Sequence, residues 1–583
     1  VLVRDIARVQ IGNQPRLGIA GQDNDDDIVE GVVLMRRGAE SKPTIKRVEE
    51  LIDRVNTTDV LPPGVRIERI YDRADLINVT TRTVLHNMVE GIVLIFVLQL
   101  AFLGNLRSAL IVAATIPFAL AFAIGLLLLR GESANLLSVG AIDFGLVVDA
   151  TVIMMENIFR RLAQKPADRF ARSAGLDRSR SMALRGRFAV IGHAAVEVSQ
   201  GIFFSAAIII AAFVPLFAMS GIEGHIFGPM AKTYAYAIAG GLIATFTVTP
   251  ALSALLLTGK VDERDTFLVR ALHRLFMPLA ARALANRVLV AGGLVLMLVA
   301  AGGAVRTLGL EFLPKLEEGN FWIRATMPPS ISLEDSDSYV NGMRRIMKGF
   351  PEVVTVISQH GRPDDGTDAT GYFNAEFFVP LKPADQWRDG LDKEALTEQL
   401  SAKLAAAYPG VDYNFSQTIQ DNVEEAASGV KGENSVKLFG NDLEVLERTA
   451  AKIKDALAGV PGVTELAVLR SLGQPTVRID IDRSRAARYG LTPSDINTTV
   501  QAAIGGQAAG NLYEDGSDRN FPIIVRLAAQ YRTSLDAIRR IPIGAPSPGG
   551  SGVVPIPLSD VAEVNLVSGA SFIYREGQER YIP

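Results

Sequence analysis

The chain has 583 residues, 48% of them hydrophobic, with a positive mean hydropathy and no cysteine. A formal charge of −4 without a long basic stripe gives nucleic acid no footing, and zero cysteine excludes disulfides and thiolate metal sites. No GxxxxGK[ST] phosphate loop, nucleophile–base pair or local metal motif occurs, so a nucleotide-driven machine, an enzyme and a resident cofactor are all set aside.

In chain order, residues 28–71 read as strand (29–36), amphipathic helix (43–55), turn (61–64) and strand (65–71), a β-α-β unit. Six apolar spans follow, at about 85–103, 108–129, 134–159, 198–218, 234–257 and 286–305. Each has the ~20 apolar residues that cross a ~30 Å hydrocarbon core. The segment 160–187 is rich in arginine (Arg160, Arg161, Arg169, Arg172, Arg178), and 258–287 carries Lys260, Arg264, Arg270, Arg274 and Arg282. Basic loops stay cytoplasmic, which puts 1–84 and 306–583 together on the opposite side. An extracytoplasmic N-terminal region needs a preceding span or signal, so the chain reads as a fragment with at least one span missing upstream. Within 260–283, Phe267, Leu268, Leu272, Leu275 and Phe276 oppose Arg270, Arg274 and Arg282, the pattern of a helix on the cytoplasmic membrane surface.

Beyond residue 306 the grammar is strand (320–327), helix from Ser332, strands (352–358 and 371–381), helix (393–407), strands (411–416 and 435–440), helix (443–458) and strand (463–469). The fold class is therefore a polytopic α-helical membrane protein carrying α+β, ferredoxin-like β-α-β modules on its outer side. A short echo, LVRDIARV (2–9) against PLSDVAEV (557–564), hints at two homologous halves. The acid-rich stretches QDNDDD (22–27) and GRPDDGTDATG (361–371) lack calcium-loop spacing and read as solvated turns. His86, His193, His225, His273 and His360 never pair at helical spacing.

The third span holds three acids, in GAIDFGLVVDATVIMMENIFRRL (140–162): Asp143, Asp149 and Glu156. A charge at mid-bilayer costs at least ~2.5–3.5 kcal/mol, so a carboxylate there calls for a function. Asp149 and Glu156 are seven apart and share a face; Asp143 points elsewhere. Asp149 falls near mid-membrane. Glu156 falls near the cytoplasmic edge, where pairing with Arg160 at i+4 is the alternative to a proton role. A buried carboxylate whose charge is opposed by burial and favoured by a cation can take up and release protons. A non-transporting membrane scaffold gains nothing from such acids.

Five stretches carry a family resemblance: GAIDFGLVVDATVIMMEN (140–157), FLPKLEEGNFWIRATMPPSIS (312–332), LKPADQW (381–387), SGVKGENSVKLFG (428–440) and IDRSRAARYGLTPSDI (481–496). In this order they resemble the resistance–nodulation–division efflux transporters, heavy-metal branch. The resemblance implies an inner-membrane pump subunit of a Gram-negative bacterium, a homotrimer in the lipid bilayer working with a periplasmic adaptor and an outer-membrane channel, driven by proton antiport. It implies a domain order of 1–27 (end of a docking subdomain), 28–75 (porter unit), 76–258 (helices two to six), 259–308 (surface helix and helix seven), 309–490 (porter subdomains), 491–565 (docking subdomain) and 566–583 (truncated return strand). Asp143, Asp149 and Glu156 match its proton-relay acids. Where the copper and silver pumps have three cleft methionines, this chain has Arg324, Asn374 and Glu425. Glu424 and Glu425 suit a harder divalent cation, or else form an exposed helix face; Arg324 opposes a cation. Export of hydrophobic drugs is the alternative within the superfamily, and an apolar, aromatic cleft would favour it.

Overall fold

The computed structural model describes residues 2–36, 38–132, 144–163, 180–257, 266–307, 309, 317–364, 366, 370–432, 434–547, 549–550 and 552–583. It divides into two compact units, Val33–Phe312 and Val1–Val32 with Leu313–Pro583.

The first unit is helical: α1 (Ser41–Thr57), α2 (Arg73–Leu103), α3 (Leu106–Leu129), α4 (Phe144–Ala163), α5 (Arg180–Ala212), α6 (Gly221–Phe246), α7 (Val248–Leu256), α8 (Phe267–Ala285) and α9 (Arg287–Val305). Its boundaries follow from local chemistry. Asp72 caps α2 by accepting from the Ala74 amide, and Gly104, at φ 61°, ends it in the left-handed conformation that glycine adopts without penalty. The next residue, Asn105, caps α3 through the amides of Arg107 and Ser108. The LGNLRS stretch is thus a stop and a start fused together. Among the described residues, five helical stretches are long and apolar enough to cross a membrane: Thr81–Leu103, Leu106–Leu129, Phe188–Phe217, Phe227–Leu256 and Arg287–Val305. These answer five of the six expected spans. The remaining one, 134–159, is represented by α4 from Phe144 onward; its first part, with Asp143, lies outside the described residues. Ile111, Val112, Met154, Met155, Ile158 and Ile202 form the packed centre of the bundle. The amphipathic helix expected over 260–283 is α8, whose Phe267, Leu275 and Phe276 are exposed.

In the second unit the hairpin β1 (Gly18–Gln22) and β2 (Asp25–Ile28) joins β3 (Asn320–Thr326), β4 (Ile357–Gly361), β5 (Asn374–Pro380) and β6 (Asp412–Ser416) in one sheet. The order is β2-β1-β4-β5-β3-β6, and all neighbours are antiparallel. Helix α10 (Leu333–Lys348) links β3 to β4, and α11 (Lys393–Ala407) links β5 to β6. Both have side-chain N-caps, Ser332 to the Asp335 amide and Asp392 to the Ala395 amide. Strand alternation puts Phe321, Ile323 and Ala325 with Ala375, Phe377 and Val379 on the face that packs Val340, Met343, Leu396 and Leu400 of the two helices. The other face carries Arg324 and Glu376, directly opposed in the β3–β5 register. Against that face lies α12 (Thr418–Ser428).

Farther on, α13 (Leu443–Leu457) packs on a small sheet containing β7 (Leu438–Phe439). The long strand β8 (Leu472–Ile481) pairs with the strand Ala562–Ala570, and Ile496, Ile541, Ile543, Leu558 and Val561 form a separate core.

Several expected strands are not there. Residues 29–36 and 65–71 pair with no strand among the described residues, so the β-α-β unit reduces to α1. In place of a ladder, the Asn56 amide clips Ile67 to the helix, taking its N–H at 2.8 Å and giving to its carbonyl at 2.9 Å. Residues 463–469 form no strand because Glu465 adopts φ 54° and its carboxylate accepts the Phe415 amide at 3.0 Å. The strand expected from 352 begins only at Ile357, and that expected over 435–440 shrinks to β7. QDNDDD is no free turn: Asp23 accepts the Val356 amide at 2.9 Å and the Lys348 ammonium at 3.0 Å, and Asp26 pairs with Arg344 and Arg345. In the 2–9/557–564 echo, the first copy is a helical turn (Val3–Ile6) and the second a turn (Leu558–Asp560) leading into a strand.

Candidate functional site

On α4 the apolar face is closed. Val147, Val148, Thr151, Met154, Met155 and Ile158 are buried, and the Thr151 hydroxyl meets that of Thr245 at 2.7 Å. The other face is open. Asp149 is exposed and has no hydrogen-bond or ion-pair partner among the described residues; Ile153, four residues on, is exposed as well. Glu156 is half-buried and pairs with Arg160 at 2.7 Å, the i+4 alternative set out above. Arg161 turns the other way, to Glu197, which also accepts from Asn157 at 3.2 Å. Thus Asp149, Ile153, Glu156 and Arg160 form one stripe that no described helix covers, with a single acid in it left unpaired.

In the other unit, a cleft of about 1480 Å³ is lined by Arg324, Asn374, Glu424 and Glu425, with Lys431 and Lys393 among its charged walls. The four cleft residues singled out in the sequence therefore meet. Arg324 is 6% exposed. Its Nε donates to Glu376 Oε1 at 3.2 Å and its Nη2 to Asp421 Oδ2 at 2.9 Å. Glu376 also accepts from Lys431 Nζ at 3.1 Å and from Gln359 Nε2 at 2.8 Å. Burial works against the Arg324 charge, but Asp421 and Glu376 outweigh it and raise its pKa. For Glu376, burial pushes up while Lys431 and Arg324 pull harder, holding the carboxyl below the usual range. Glu30 is raised by burial first and then by Glu376. Glu424 accepts from Gln420 at 2.7 Å, and Glu425 is exposed.

Helix α12 is set in place by Glu318, whose Oε1 accepts the amides of Ile419 and Gln420 at 2.8 and 3.4 Å, while Gln417 Oε1 takes the Glu318 amide at 2.7 Å. This reciprocal cap aims Asp421 at Arg324. Sequence reasoning missed Glu376, Asp421 and Lys431. The available signal was periodicity: Glu376 is two residues beyond Asn374 on one strand face, and Asp421 is one helical turn before Glu424 and Glu425. Among the described residues no group of three or more His, Asp or Glu is arranged to hold a metal. Glu376 and Asp421 already share Arg324.

The family model described as AcrB/AcrD/AcrF matches residues 1–583. The chain belongs to this family. A resistance–nodulation–division chain with five membrane-length apolar helices among the described residues, and with β-containing modules, is what the structure describes. Among its relatives is the cobalt-zinc-cadmium resistance protein of Cupriavidus metallidurans, 36% identical over 585 residues, covering 100% of this chain and 54% of that protein. The nickel and cobalt resistance protein of the same organism is 31% identical over 584 residues, 100% of this chain and 53% of that one. The solved structure of a heavy metal efflux pump, crystal form II, superposes with a TM-score of 0.87 at 32% identity, covering 100% of this chain and 55% of the other. The chain spans about half the length of these relatives.

Proposed function

We propose that this chain is part of the inner-membrane subunit of a proton-driven pump that exports divalent metal cations. The observation that carries the reading is Asp149, an exposed carboxylate without a partner among the described residues, on a helix whose other face is packed apolar core. Its insertion cost is repaid only by chemistry, and reversible protonation is the chemistry a lone carboxylate offers. Asp143 joins it in the relay. Glu156, paired with Arg160, tunes the cytoplasmic edge.

On the outer side, the run β3-α10-β4-β5-α11-β6 with order β4-β5-β3-β6 supports a ferredoxin-like porter module. Its cleft offers carboxylate rather than thioether donors, which suits zinc, cobalt or nickel and not copper or silver. Relatives named for cobalt, zinc, cadmium and nickel resistance support the same class. Arg324 serves as an internal counter-ion: it keeps Glu376 and Asp421 satisfied while no cargo is present, and a divalent cation exchanges with its guanidinium. A periplasmic adaptor, an outer-membrane channel and a homotrimeric assembly complete the system, with no resident cofactor.

The test is a resistance profile of a sensitive host expressing the complete gene product, over cobalt, zinc, cadmium, nickel, copper, silver and hydrophobic drugs together. Protection against the first four metals supports the reading. Protection against drugs alone would replace it with the hydrophobic-substrate alternative.

A further inference from the structure

Away from the cleft, on the helix-covered face of the sheet, His360 lies on β4 between Ala375 of β5 and Ile19 of β1. It is 4% exposed, and neither ring nitrogen has a hydrogen-bond partner. Its Nε2 lies 4.0 Å from Oδ1 of Asp337 on α10, and that oxygen is also buried and unpartnered. Asn341, one turn along the helix, is hydrogen-bonded to Asp337 and has a buried, unpartnered Oδ1 of its own. Buried polar groups are almost always satisfied, so three gathered at one helix–strand contact form a feature rather than a defect.

We propose that His360 and Asp337 form a proton-binding pair that takes up one proton on acidification and draws α10 onto β4. The step is simple. A proton from solvent adds to the free ring nitrogen; no bond breaks, and the imidazolium donates to Oδ1 of Asp337. At 4.0 Å the two atoms are too far apart for a hydrogen bond, whereas a charge-assisted N–H···O bond sits at about 2.7–2.9 Å, so the ring and carboxylate approach by roughly 1 Å.

The surroundings fit one proton rather than a divalent ion. From α10 the charged groups facing the pair are Asp337 itself and Arg344; from the β1–β2 hairpin and the residues before it, Asp26, Asp27 and the cation Arg16 act on Asp337. Arg344 is fully buried and is already held by Asp26, by the Asp23 carbonyl at 2.8 Å and by the Ser358 hydroxyl at 2.7 Å. Its fixed positive charge opposes a doubly charged guest. Burial, then Arg344, pushes His360 down to about 4, while burial raises Asp337 above its ordinary 3.8. The two shifts bring the groups toward one another, and with the 4.0 Å approach of Nε2 to Oδ1 the pair takes up its proton well below the ordinary imidazole value of 6.5. The approach is passed on, because Arg344 on the same helix ties down the β1–β2 hairpin. The pair is an acid-sensed clamp on a strand graft contributed from more than 300 residues away.

The experiment is nitrogen-15 histidine NMR of the full chain in lipid bilayers, titrated from pH 7.5 to 2.5, with the His360 signal assigned by its loss in His360→Gln. Asp337→Asn should lower the His360 titration midpoint by at least one pH unit, and in the wild type the ring-to-carboxyl distance should shorten by about 1 Å at acid pH. The thermal unfolding transition of each variant reports whether the β-containing unit keeps its fold, and Asp337→Glu, which restores the carboxylate, should recover most of the midpoint. An unchanged midpoint in Asp337→Asn would overturn the pairing. A shift of the His360 signal by zinc at pH 7.5 that equals the acid shift would replace the proton site with a metal site.

Discussion

Nη2 of Arg324 donates to Oδ2 of Asp421 at 2.9 Å, bringing together residues 97 positions apart in the chain. The same guanidinium holds Glu376. Two buried carboxylates are therefore neutralised from within, by a side chain that itself lines the cleft.

Removing that side chain leaves buried charge uncompensated. Arg324→Ala should destabilise the β-containing unit by about 3–5 kcal/mol, and zinc or cobalt should restore much of the loss by taking the guanidinium's place. Thermal unfolding with and without metal checks this. Equal stabilisation of wild type and variant by metal would mean that Arg324 and the cation do not compete.

Glu376 gives the site a pH dependence of known sign. Its folded pKa is held below the ordinary 4.5, because Lys431 and Arg324 outweigh the upward push of burial. The stability it contributes is therefore present above 4.5 and is lost as pH falls through the lower folded value. Glu376→Gln should flatten the acid limb of an unfolding-versus-pH curve below 4.5. An unchanged limb would place the acid sensitivity elsewhere.

The arginine-rich segment at 160–187 and the cleft-bearing unit are expected on opposite sides of the membrane. Because the chain has no cysteine, single cysteines can be introduced cleanly at Lys165 and Gly366. A membrane-impermeant thiol reagent applied to intact spheroplasts should label the second and not the first. Labelling of both, or of neither, contradicts the topology.

What could be read from the sequence had a periodicity or a cap behind it. The apolar runs, Ser332 before α10, Asp392 before α11 and the Gly104–Asn105 junction all announce themselves locally. What could not be read depends on pairing at a distance. Residues 65–71 look like a strand, but Asn56 takes over the Ile67 backbone. Gly473 and Pro475 conceal β8, which exists because Ala562–Ala570 lies beside it. In the candidate site, Arg324 was legible as an obstacle to a cation. That it has two buried partners was not, because they arrive from the neighbouring strand and from a helix set by Glu318. On α4 the shared face of Asp149 and Glu156 was legible, and so was the Glu156–Arg160 pair.

The central claim is that Asp149 carries the proton. It is tested most directly by metal efflux from proteoliposomes containing the complete gene product under an imposed pH gradient, comparing wild type, Asp149→Asn and Glu156→Gln at matched protein level. Asn keeps the size and hydrogen bonding of Asp but cannot exchange the proton. Asp149→Asn should abolish gradient-driven efflux while leaving expression and assembly intact, Asp143→Asn should behave alike, and Glu156→Gln should retain a substantial part of the rate. Full gradient-dependent efflux by Asp149→Asn would show that this carboxylate is not the proton carrier.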